Sequence, residues 1–390
     1  MTSTVPPRDL PADAPDDGAL GRVCVFIPSF GDGGVERMLV NASRGMAALG
    51  ARVDFIVAHA EAPYLHHLDQ PRIRLIELGT SDRRALLAKL REYLACERPD
   101  VVVSAKGKDD AIALEAKRLT GGKTRFFLRP GTAVSARSEN RGTNPISRWL
   151  KERRRRRLYA QADGVVAVSE GVAEDIARST GFPRERIRVI RNPNITPEFE
   201  ALSREPLDHP WFAPGEPPVI LGMGGLRTQK DFATLIRAFA RLHAQRPCRL
   251  LILGEGRQHE RLQRLAQELG VGADVDLPGF ATNPYAYLAR AGLFVLSSLW
   301  EGSPNVLTEA LAVGTPVVST DCESGPREIL QGGRFGPLVP IGDVDALARA
   351  MRETLNRPLS RKVLQSTTTK YTIKKSARRY LQAFGLLPAS

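Results

Sequence analysis

The stretch that decides the fold is WEGSPNVLTEALAVGTPVVSTDCESGPREIL, which spans residues 300–330. It follows the apolar run Leu293–Ser298, which is typical of a buried parallel strand. Ser303 is a favourable N-cap and Pro304 suits the first helical position, so a helix is predicted to begin at this point and to end at Gly314. A further apolar run follows this glycine. The stretch therefore predicts a strand–loop–helix–strand unit whose helix N-terminus points out of the carboxyl end of a sheet.

The predicted helix start is a candidate phosphate site, because a helix N-terminus presents free N–H groups and the positive end of its dipole. The residues predicted to form this site are Ser303, Pro304, Asn305 and Val306. Two carboxylates bracket this site, Glu301 in the loop and Glu309 in the helix. Carboxylates repel phosphate but accept hydrogen bonds from hydroxyls, and a nucleotide sugar carries hydroxyls on both sides of its diphosphate. The alternative for an isolated pair is a surface loop glutamate and a solvated helix glutamate.

Glu301 and Glu309 form an E-x7-E motif, and the run from Glu301 to Leu330 resembles the retaining glycosyltransferases of family 4, also described as group 1. The resemblance extends over most of the chain, from about Val23 to about Leu381. It implies an α/β fold of the GT-B type, with two doubly wound Rossmann-like domains that face each other across a cleft. It also implies a hexosyltransferase in which Glu301 holds the transferred sugar and Glu309 binds the ribose of the donor.

The composition is that of a globular chain, and its positive net charge predicts an anionic partner. The chain has 390 residues, which suggests two or three domains, and a net charge of +13. No run of about 18 apolar residues occurs, so no transmembrane helix is predicted. The first twenty residues show no signal-peptide pattern and are predicted to be a disordered lead. The four cysteines show no metal-ligand spacing, so a reduced cytoplasmic protein is expected.

Strands and helices alternate in two series, which favours two doubly wound α/β domains. The first series of strands is predicted near Val23–Ile27, Val53–Ala58, Ile73–Leu78, Val101–Ser104, Thr124–Leu128, Val165–Val168 and Ile187–Ile190. The second series is predicted near Val219–Met223, Arg249–Leu253, Val275–Leu277, Leu293–Ser298 and Val317–Thr320. The predicted boundaries are a lead at 1–20, an acceptor-side domain at 21–197, a nucleotide-sugar domain at 198–369 and a segment at 370–390. By resemblance, the helix of that last segment crosses back to the first domain.

The loop FGDGGVER, residues 30–37, follows the first strand and opens a helix. Gly33 and Gly34 allow the backbone to come close to a ligand. The loop is no dinucleotide fingerprint, because Glu36 stands where the third glycine is required. Taken alone, it is equally consistent with a tight turn and with a site. It matches the GG-x-E pattern of the resembled family, which implies that it faces the donor phosphates.

The loop GMGGLRTQKDF, residues 222–232, carries Arg227 and Lys230 between a strand and a helix, where cations suit a diphosphate. The resemblance makes both residues catalytic, and ordinary solvated charges are the alternative. The family usually reads Gly-Arg-Leu followed closely by lysine. Here Gly225 stands where the arginine is expected, and Arg227 is the candidate substitute.

Two further positions match the family's donor site. Gly254 begins a Gly-x-Gly turn after a strand, and Phe280 lies where the family holds the nucleotide base, so that its ring could stack or simply pack. Some relatives place a histidine of the first domain near the sugar. The corresponding loops here contain no histidine, and Lys106 and Arg129 are the candidates for that position.

The run RWLKERRRRR, residues 148–157, is strongly basic. A solvated helix face is one interpretation. The other is contact between Arg153–Arg157 and anionic lipid headgroups or a lipid-diphosphate acceptor, worth about 1 kcal/mol for each basic residue near an anionic membrane. A nucleic-acid partner is not predicted, because no set of stacking aromatic residues accompanies the run.

The combined prediction is a cytoplasmic, peripherally membrane-bound retaining glycosyltransferase of cell-envelope glycan synthesis, such as that of lipopolysaccharide. It would move a sugar from a nucleotide-sugar donor, with UDP the expected nucleotide, to a lipid-linked or polysaccharide acceptor. No cofactor or metal is expected, because the chain has no Asp-x-Asp motif and its histidines form no ligand pattern. The alternatives are a nucleotide-sugar epimerase of the same fold, which would convert its donor without an acceptor, and a basic nucleic-acid-binding protein, whose binding would depend steeply on salt.

Overall fold

The computed structural model describes residues 19–31, 33–62, 64–135 and 144–388. The predicted disordered lead at 1–20 lies, apart from its last two residues, outside the described residues. The chain divides into two compact units. Unit 1 comprises Met1–Val168, Val172–Pro193 and Ile373–Ser390, and unit 2 comprises Ser169–Gly171 and Asn194–Thr372.

Unit 1 is built on a parallel sheet of seven strands in the order β3-β2-β1-β4-β5-β6-β7. All seven predicted strands are present within two residues of their predicted bounds. The strands are β1 Arg22–Phe26, β2 Arg52–Val57, β3 Ile73–Glu77, β4 Val101–Ser104, β5 Arg125–Leu128, β6 Gly164–Ala167 and β7 Ile187–Val189. Their near-continuous apolar sequences are buried, because helices cover both faces of the sheet.

Unit 2 repeats this plan with six parallel strands in the order β10-β9-β8-β11-β12-β13. The strands are β8 Val219–Met223, β9 Arg249–Leu253, β10 Val275–Gly279, β11 Leu293–Leu296, β12 Val317–Thr320 and β13 Leu338–Val339. The first five were predicted. The sequence did not predict β13, because two residues are too few to show any periodicity.

Helices connect the strands in both units. In chain order they are α1 Gly34–Ala48, α2 Arg83–Glu97, α3 Gly107–Thr120, α4 Pro145–Tyr159, α5 Glu170–Thr180, α6 Phe199–Arg204, α7 Phe232–His243, α8 His259–Glu268, α9 Pro284–Arg290, α10 Asn305–Val313, α11 Pro326–Ile329, α12 Val344–Asn356, α13 Arg361–Ser366 and α14 Ile373–Ala383. None of the helices in the described ranges is both long and apolar enough to span a membrane.

The last helix, α14, packs inside unit 1 against α1. A Cβ built on Gly45 of α1 would lie 2.6 Å from Ile373 Cγ2, so the two helices approach closely at this glycine. Buried Arg129, at the end of β5, donates from Nε to the Tyr380 hydroxyl at 3.3 Å and also bonds the Asn192 side chain. The C-terminal helix is therefore part of the core of unit 1.

Both sheets have the doubly wound order. Successive strands are added on one side of the first strand, and the chain then returns to add the later strands on its other side. This reversal lies between β1 and β4 in unit 1 and between β8 and β11 in unit 2. In sheets of this kind, ligands bind beyond the carboxyl ends of the strands at the point of reversal. The predicted fold class, two doubly wound Rossmann-like α/β units, is confirmed, and it directs attention to the loops after these four strands.

Candidate active site

Two loops meet at the reversal point of unit 2, one after β8 and one after β11. The Gln229 carbonyl accepts from the Leu299 amide at 2.8 Å, and the Gln229 side chain donates to the Trp300 carbonyl at 2.9 Å. The hydroxyl of buried Ser297 donates to the Lys230 carbonyl at 2.7 Å. These bonds fix the backbone that carries the predicted site residues before any ligand arrives.

Lys230 and Glu301, each predicted as a catalytic residue, form an ion pair at this point. Lys230 Nζ lies 2.6 Å from Glu301 Oε1, and the glutamate is only 6% exposed. The hydroxyl of Ser298 donates to the same carboxylate oxygen at 2.7 Å. The orientation of the carboxylate is therefore set by two donors. Sequence reasoning missed Ser298, because the apolar run around it indicated only a strand.

A buried thiol lies beside the Glu301 carboxylate. Burial, followed by the nearby charge of Glu301, raises the pKa of the Cys322 thiol to about 12. Cys322 therefore stays protonated at neutral pH and is a poor nucleophile there. The predicted chemistry does not use it.

Arg227 lies in the loop that follows β8 and is exposed to solvent. A Cβ built on Gly225 would lie 3.3 Å from Arg227 Nε, so the arginine side chain folds back beside this glycine. Gly225 is the position at which the resembled family carries its arginine. The structure thus brings the guanidinium group near the place from which an arginine at 225 would have extended.

The turn after β9 packs closely against the loop after β8, and glycines make this close approach possible. Gly254 has φ +139°, and a Cβ there would lie 2.2 Å from the Gly224 carbonyl oxygen. Gly256 has φ +156°, and a Cβ there would lie 2.5 Å from the Leu226 carbonyl oxygen. The turn after β9 therefore holds the β8 loop in place, and any residue with a side chain would displace it. Phe280, which follows β10, is 57% exposed, so its ring does not pack in the hydrophobic core.

Helix α10 begins one residue later than predicted. The prediction that Ser303 is the N-cap and Pro304 the first helical residue is wrong. Pro304 is the N-cap, with φ −66° and ψ 108°, and Asn305 is the first helical residue. The extended ψ angle of Pro304 keeps it outside the helix. The first-turn N–H groups therefore belong to Asn305, Val306 and the residue after them. The predicted end is confirmed, since Gly314 adopts φ +81°.

The remaining residues predicted for the donor site differ in how deeply they are buried. Glu309, in the second turn of α10, is fully buried. Ser303 is 8% exposed and Pro304 is buried, whereas Val306 is partly exposed. Among the described residues, no group of three or more histidine, cysteine or acidic side chains could hold a metal ion.

The glycine loop of unit 1 forms its own polar cluster at the reversal point of the first sheet. Gly33 is the N-cap of α1, and a Cβ there would lie 2.7 Å from Glu36 Oε2. Glu36 is 5% exposed and pairs with Lys106, whose Nζ lies 2.5 Å from Glu36 Oε1 and also donates to the Ser29 carbonyl. Gly34, the first residue of α1, is exposed. Of the two first-domain candidates, Lys106 lies in this loop cluster, whereas Arg129 is buried in the core.

Two stretches of the chain match known families. Residues 33–193 match the family described as Glycosyl transferase 4-like domain, and residues 203–371 match Glycosyl transferases group 1. The lipopolysaccharide core biosynthesis glycosyltransferase LpsE of Rhizobium meliloti is 31% identical over 327 residues, which are 83% of this chain and 85% of LpsE. The chain belongs to the group 1 glycosyltransferases. The predicted family is therefore confirmed, and with it a transferase enzyme.

Two other proteins are similar to this glycosyltransferase over nearly its whole length. A Campylobacter jejuni enzyme, N-acetylgalactosamine-N,N'-diacetylbacillosaminyl-diphospho-undecaprenol 4-alpha-N-acetylgalactosaminyltransferase, is 28% identical over 374 residues, which are 92% of this chain and 98% of that enzyme. The crystal structure of Anabaena HepE in complex with UDP and glucose aligns with a TM-score of 0.76 at 17% identity, covering 94% of this chain and 100% of HepE. The structural likeness supports the GT-B fold.

Proposed function

We propose that this glycosyltransferase moves a sugar from a UDP-sugar, with retention of anomeric configuration, to a lipid-linked or polysaccharide acceptor of cell-envelope glycan synthesis. The observation that carries the proposal is the pairing of Lys230 with Glu301 beside the N-terminus of α10. A cation, a helix dipole and a carboxylate then lie at one reversal point. The cation and the helix N-terminus suit the diphosphate of a nucleotide sugar, and the carboxylate suits the hydroxyls of its sugar.

The leaving diphosphate gains negative charge as the sugar–phosphate bond breaks. First-turn N–H groups of α10, at Asn305 and Val306, would stabilise that charge together with Arg227 and Lys230. Because these groups supply the positive charge, we propose that transfer needs no divalent metal and no other cofactor. Glu301, which two donors orient, would accept hydrogen bonds from the transferred sugar.

UDP is the proposed nucleotide because HepE, which shares the fold, was crystallised with UDP and glucose. Ribose would be bound by Glu309 and the base would lie at Phe280, beside the Gly254 turn. The proposed acceptor class follows relatives whose names describe lipopolysaccharide core synthesis and a diphospho-undecaprenol compound. We propose no role for nucleic acid.

We also propose that α4 holds the enzyme on the cytoplasmic face of an anionic membrane. Three apolar side chains on one face of α4 are more than half exposed, namely Ile146, Trp149 and Leu150. Arg153 continues this face, with its guanidinium carbon 5.3 Å from the centroid of the Trp149 ring. Apolar side chains ringed by cations are typical of helices that lie in a membrane interface. This observation extends the predicted contact of Arg153–Arg157.

The test is a transfer assay in EDTA with a panel of UDP-sugars, with lipid diphosphate and glycan acceptors supplied in turn. The expected result is a new glycoside with the anomeric configuration of the donor sugar, read by NMR. An inverted product would reject the retaining mechanism. Conversion of the donor sugar without any acceptor would favour the epimerase alternative instead.

A further inference from the structure

Two consecutive serines, to which the proposed chemistry assigns no role, directly follow β11. Ser297 and Ser298 are both buried, although each side chain carries a hydroxyl. β11 lies between β8 and β12 in the sheet of unit 2, so the two serines have a strand end on either side. A buried hydroxyl destabilises the fold unless it is hydrogen-bonded, so the role of each serine follows from its partner.

Ser297 holds the backbone from which the Lys230 side chain extends. Its hydroxyl donates to the Lys230 carbonyl at 2.7 Å. The next residue, Asp231, has φ +43°, in the left-handed region that residues with a side chain rarely adopt, and its carboxylate accepts from the Thr234 hydroxyl at 2.6 Å. A strained turn of this kind persists only when its surroundings fix it from several sides. Ser297 fixes it on the side of Lys230.

Ser298 holds the carboxylate of Glu301. Its hydroxyl donates to Glu301 Oε1 at 2.7 Å. Its own carbonyl accepts from the hydroxyl of buried Thr320, the last residue of β12, at 2.6 Å. Because Lys230 Nζ binds the same carboxylate oxygen, rotation of the carboxylate is restrained from two directions. Burial strengthens this bond and excludes the water that could replace the hydroxyl if it were removed.

We infer that Ser297 and Ser298 are positioning residues with separate tasks. Ser297 sets the affinity for the donor diphosphate through Lys230, and Ser298 sets the rate of sugar transfer through Glu301. The inference rests on the proposed function, which assigns Lys230 to the diphosphate and Glu301 to the transferred sugar. It adds two residues that act through this pair without touching the substrate.

The adjacency of the two serines supplies a matched comparison. Ser297→Ala and Ser298→Ala remove the same group from neighbouring buried positions. Serines that only support packing would change donor affinity and transfer rate together in both variants, whereas separate tasks change a different constant in each. Ser319→Ala is the control, because buried Ser319 lies in β12 and its hydroxyl donates to the Thr320 carbonyl at 2.8 Å rather than to the Lys230–Glu301 pair.

The experiment measures UDP affinity and the single-turnover transfer rate at saturating UDP-sugar for the full chain. Ser297→Ala should weaken UDP binding about five- to tenfold and lower the rate less than about threefold, because bound diphosphate draws Lys230 back into place. Ser298→Ala should leave UDP affinity within about twofold of wild type and lower the rate about tenfold or more, because a hydrogen bond to a carboxylate is lost. Ser319→Ala should leave both constants within about twofold of wild type.

Two further variants distinguish positioning from a purely structural role. Ser298→Cys keeps the size of the side chain but has only a weak donor, so its rate should lie between those of wild type and Ser298→Ala. In a Glu301→Gln background, Ser298→Ala should lower the rate less than about threefold further, since the carboxylate that it orients is already gone. A full tenfold loss in that background would show that Ser298 does not act through Glu301.

Equal changes in the two alanine variants would overturn the inference. So would wild-type constants in both, or a lower melting temperature as the only effect. The wild-type chain tests the proposed function first: if it binds no nucleoside diphosphate and transfers no sugar, that function fails and the inference fails with it. If wild type binds UDP and transfers sugar while the two alanine variants behave alike, only the inference fails.

Discussion

The two units place a lysine–glutamate pair at the same topological position and differ in what surrounds it. In unit 1, Lys106 Nζ lies 2.5 Å from Glu36 Oε1, and in unit 2, Lys230 Nζ lies 2.6 Å from Glu301 Oε1. In unit 2, Gly224 lies against the Lys230 side chain and packs closely on Gly254, whereas in unit 1 a cavity of about 1050 Å³ opens beside the pair. Since the two sheets share the same winding order, the loops and not the fold make the surroundings of the two pairs differ.

The largest expected effect is on the transfer rate, and it distinguishes the two lysine–glutamate pairs. Glu301→Gln should lower the transfer rate about 100- to 1000-fold, because a group that acts mainly as the glycosidic bond breaks is lost. Affinity for free UDP should change by less than about threefold, since UDP lacks the transferred sugar. Glu36→Gln should lower the rate less than about tenfold, because Lys106 also bonds the Ser29 carbonyl. Equal losses of single-turnover rate in the two variants would show that the pairs have the same role.

The second prediction concerns the carboxylate assigned to ribose. Glu309→Gln keeps the size of the side chain but removes a charge-assisted hydrogen bond worth roughly 1.5–3 kcal/mol, so UDP should bind about ten- to a hundredfold more weakly. The transfer rate at saturating donor should change little. Because Glu309 is fully buried, the melting temperature must be measured alongside UDP affinity. A variant that folds and binds UDP like wild type would remove Glu309 from the donor site.

The third prediction tests whether packed glycines make the donor site compact. Gly254→Ala introduces a Cβ against the Gly224 carbonyl, whereas Gly270→Ala, at φ +70°, meets no atom within 4 Å. Both substitutions carry the strain of a positive φ, which is larger at +139° than at +70°, and only the first adds a clash. Gly254→Ala should therefore lower the free energy of unfolding by about 1–3 kcal/mol more than Gly270→Ala, and should weaken UDP binding. Urea denaturation of both variants measures the difference, and equal stability would mean that the turns have room to separate.

The smallest expected effect concerns the displaced arginine. Arg227→Gln should weaken UDP binding about five- to tenfold, because an exposed cation is partly screened by solvent. Arg237→Gln, which removes an exposed charge from α7, is the control and should have no effect on UDP affinity. Adding Gly225→Arg to Arg227→Gln should restore most of the affinity, since the Arg227 side chain already lies beside position 225. Failure of this rescue, with an intact melting temperature, would show that Arg227 does not replace the family's arginine.

Local patterns predicted the elements of the fold well. The buried strands, the end of α10 at Gly314 and the helical form of the basic run depend on neighbouring residues and were readable from the sequence. The start of α10 was misplaced because Ser303 and Pro304 have good propensities for capping and for the first turn, and the observed extended ψ of Pro304 overrides them.

Contacts between distant residues were not predictable in the same way. Lys230 and Glu301 were each assigned to the donor site, but their pairing across 71 residues depends on how two loops meet at the sheet edge. Ser298 gave no signal inside an apolar run. The cavity of unit 1 required the structure, because its walls come from residues that are far apart in the sequence.

The most direct test of the account is the thermal stability of the wild-type chain with UDP in EDTA. The central claim is that the reversal point of unit 2 binds a nucleoside diphosphate through protein groups alone. At a UDP concentration a hundredfold above its dissociation constant, binding should add about 2.7 kcal/mol to the free energy of unfolding and raise the melting temperature accordingly. The absence of any shift with UDP and with every other nucleoside diphosphate would contradict the claim.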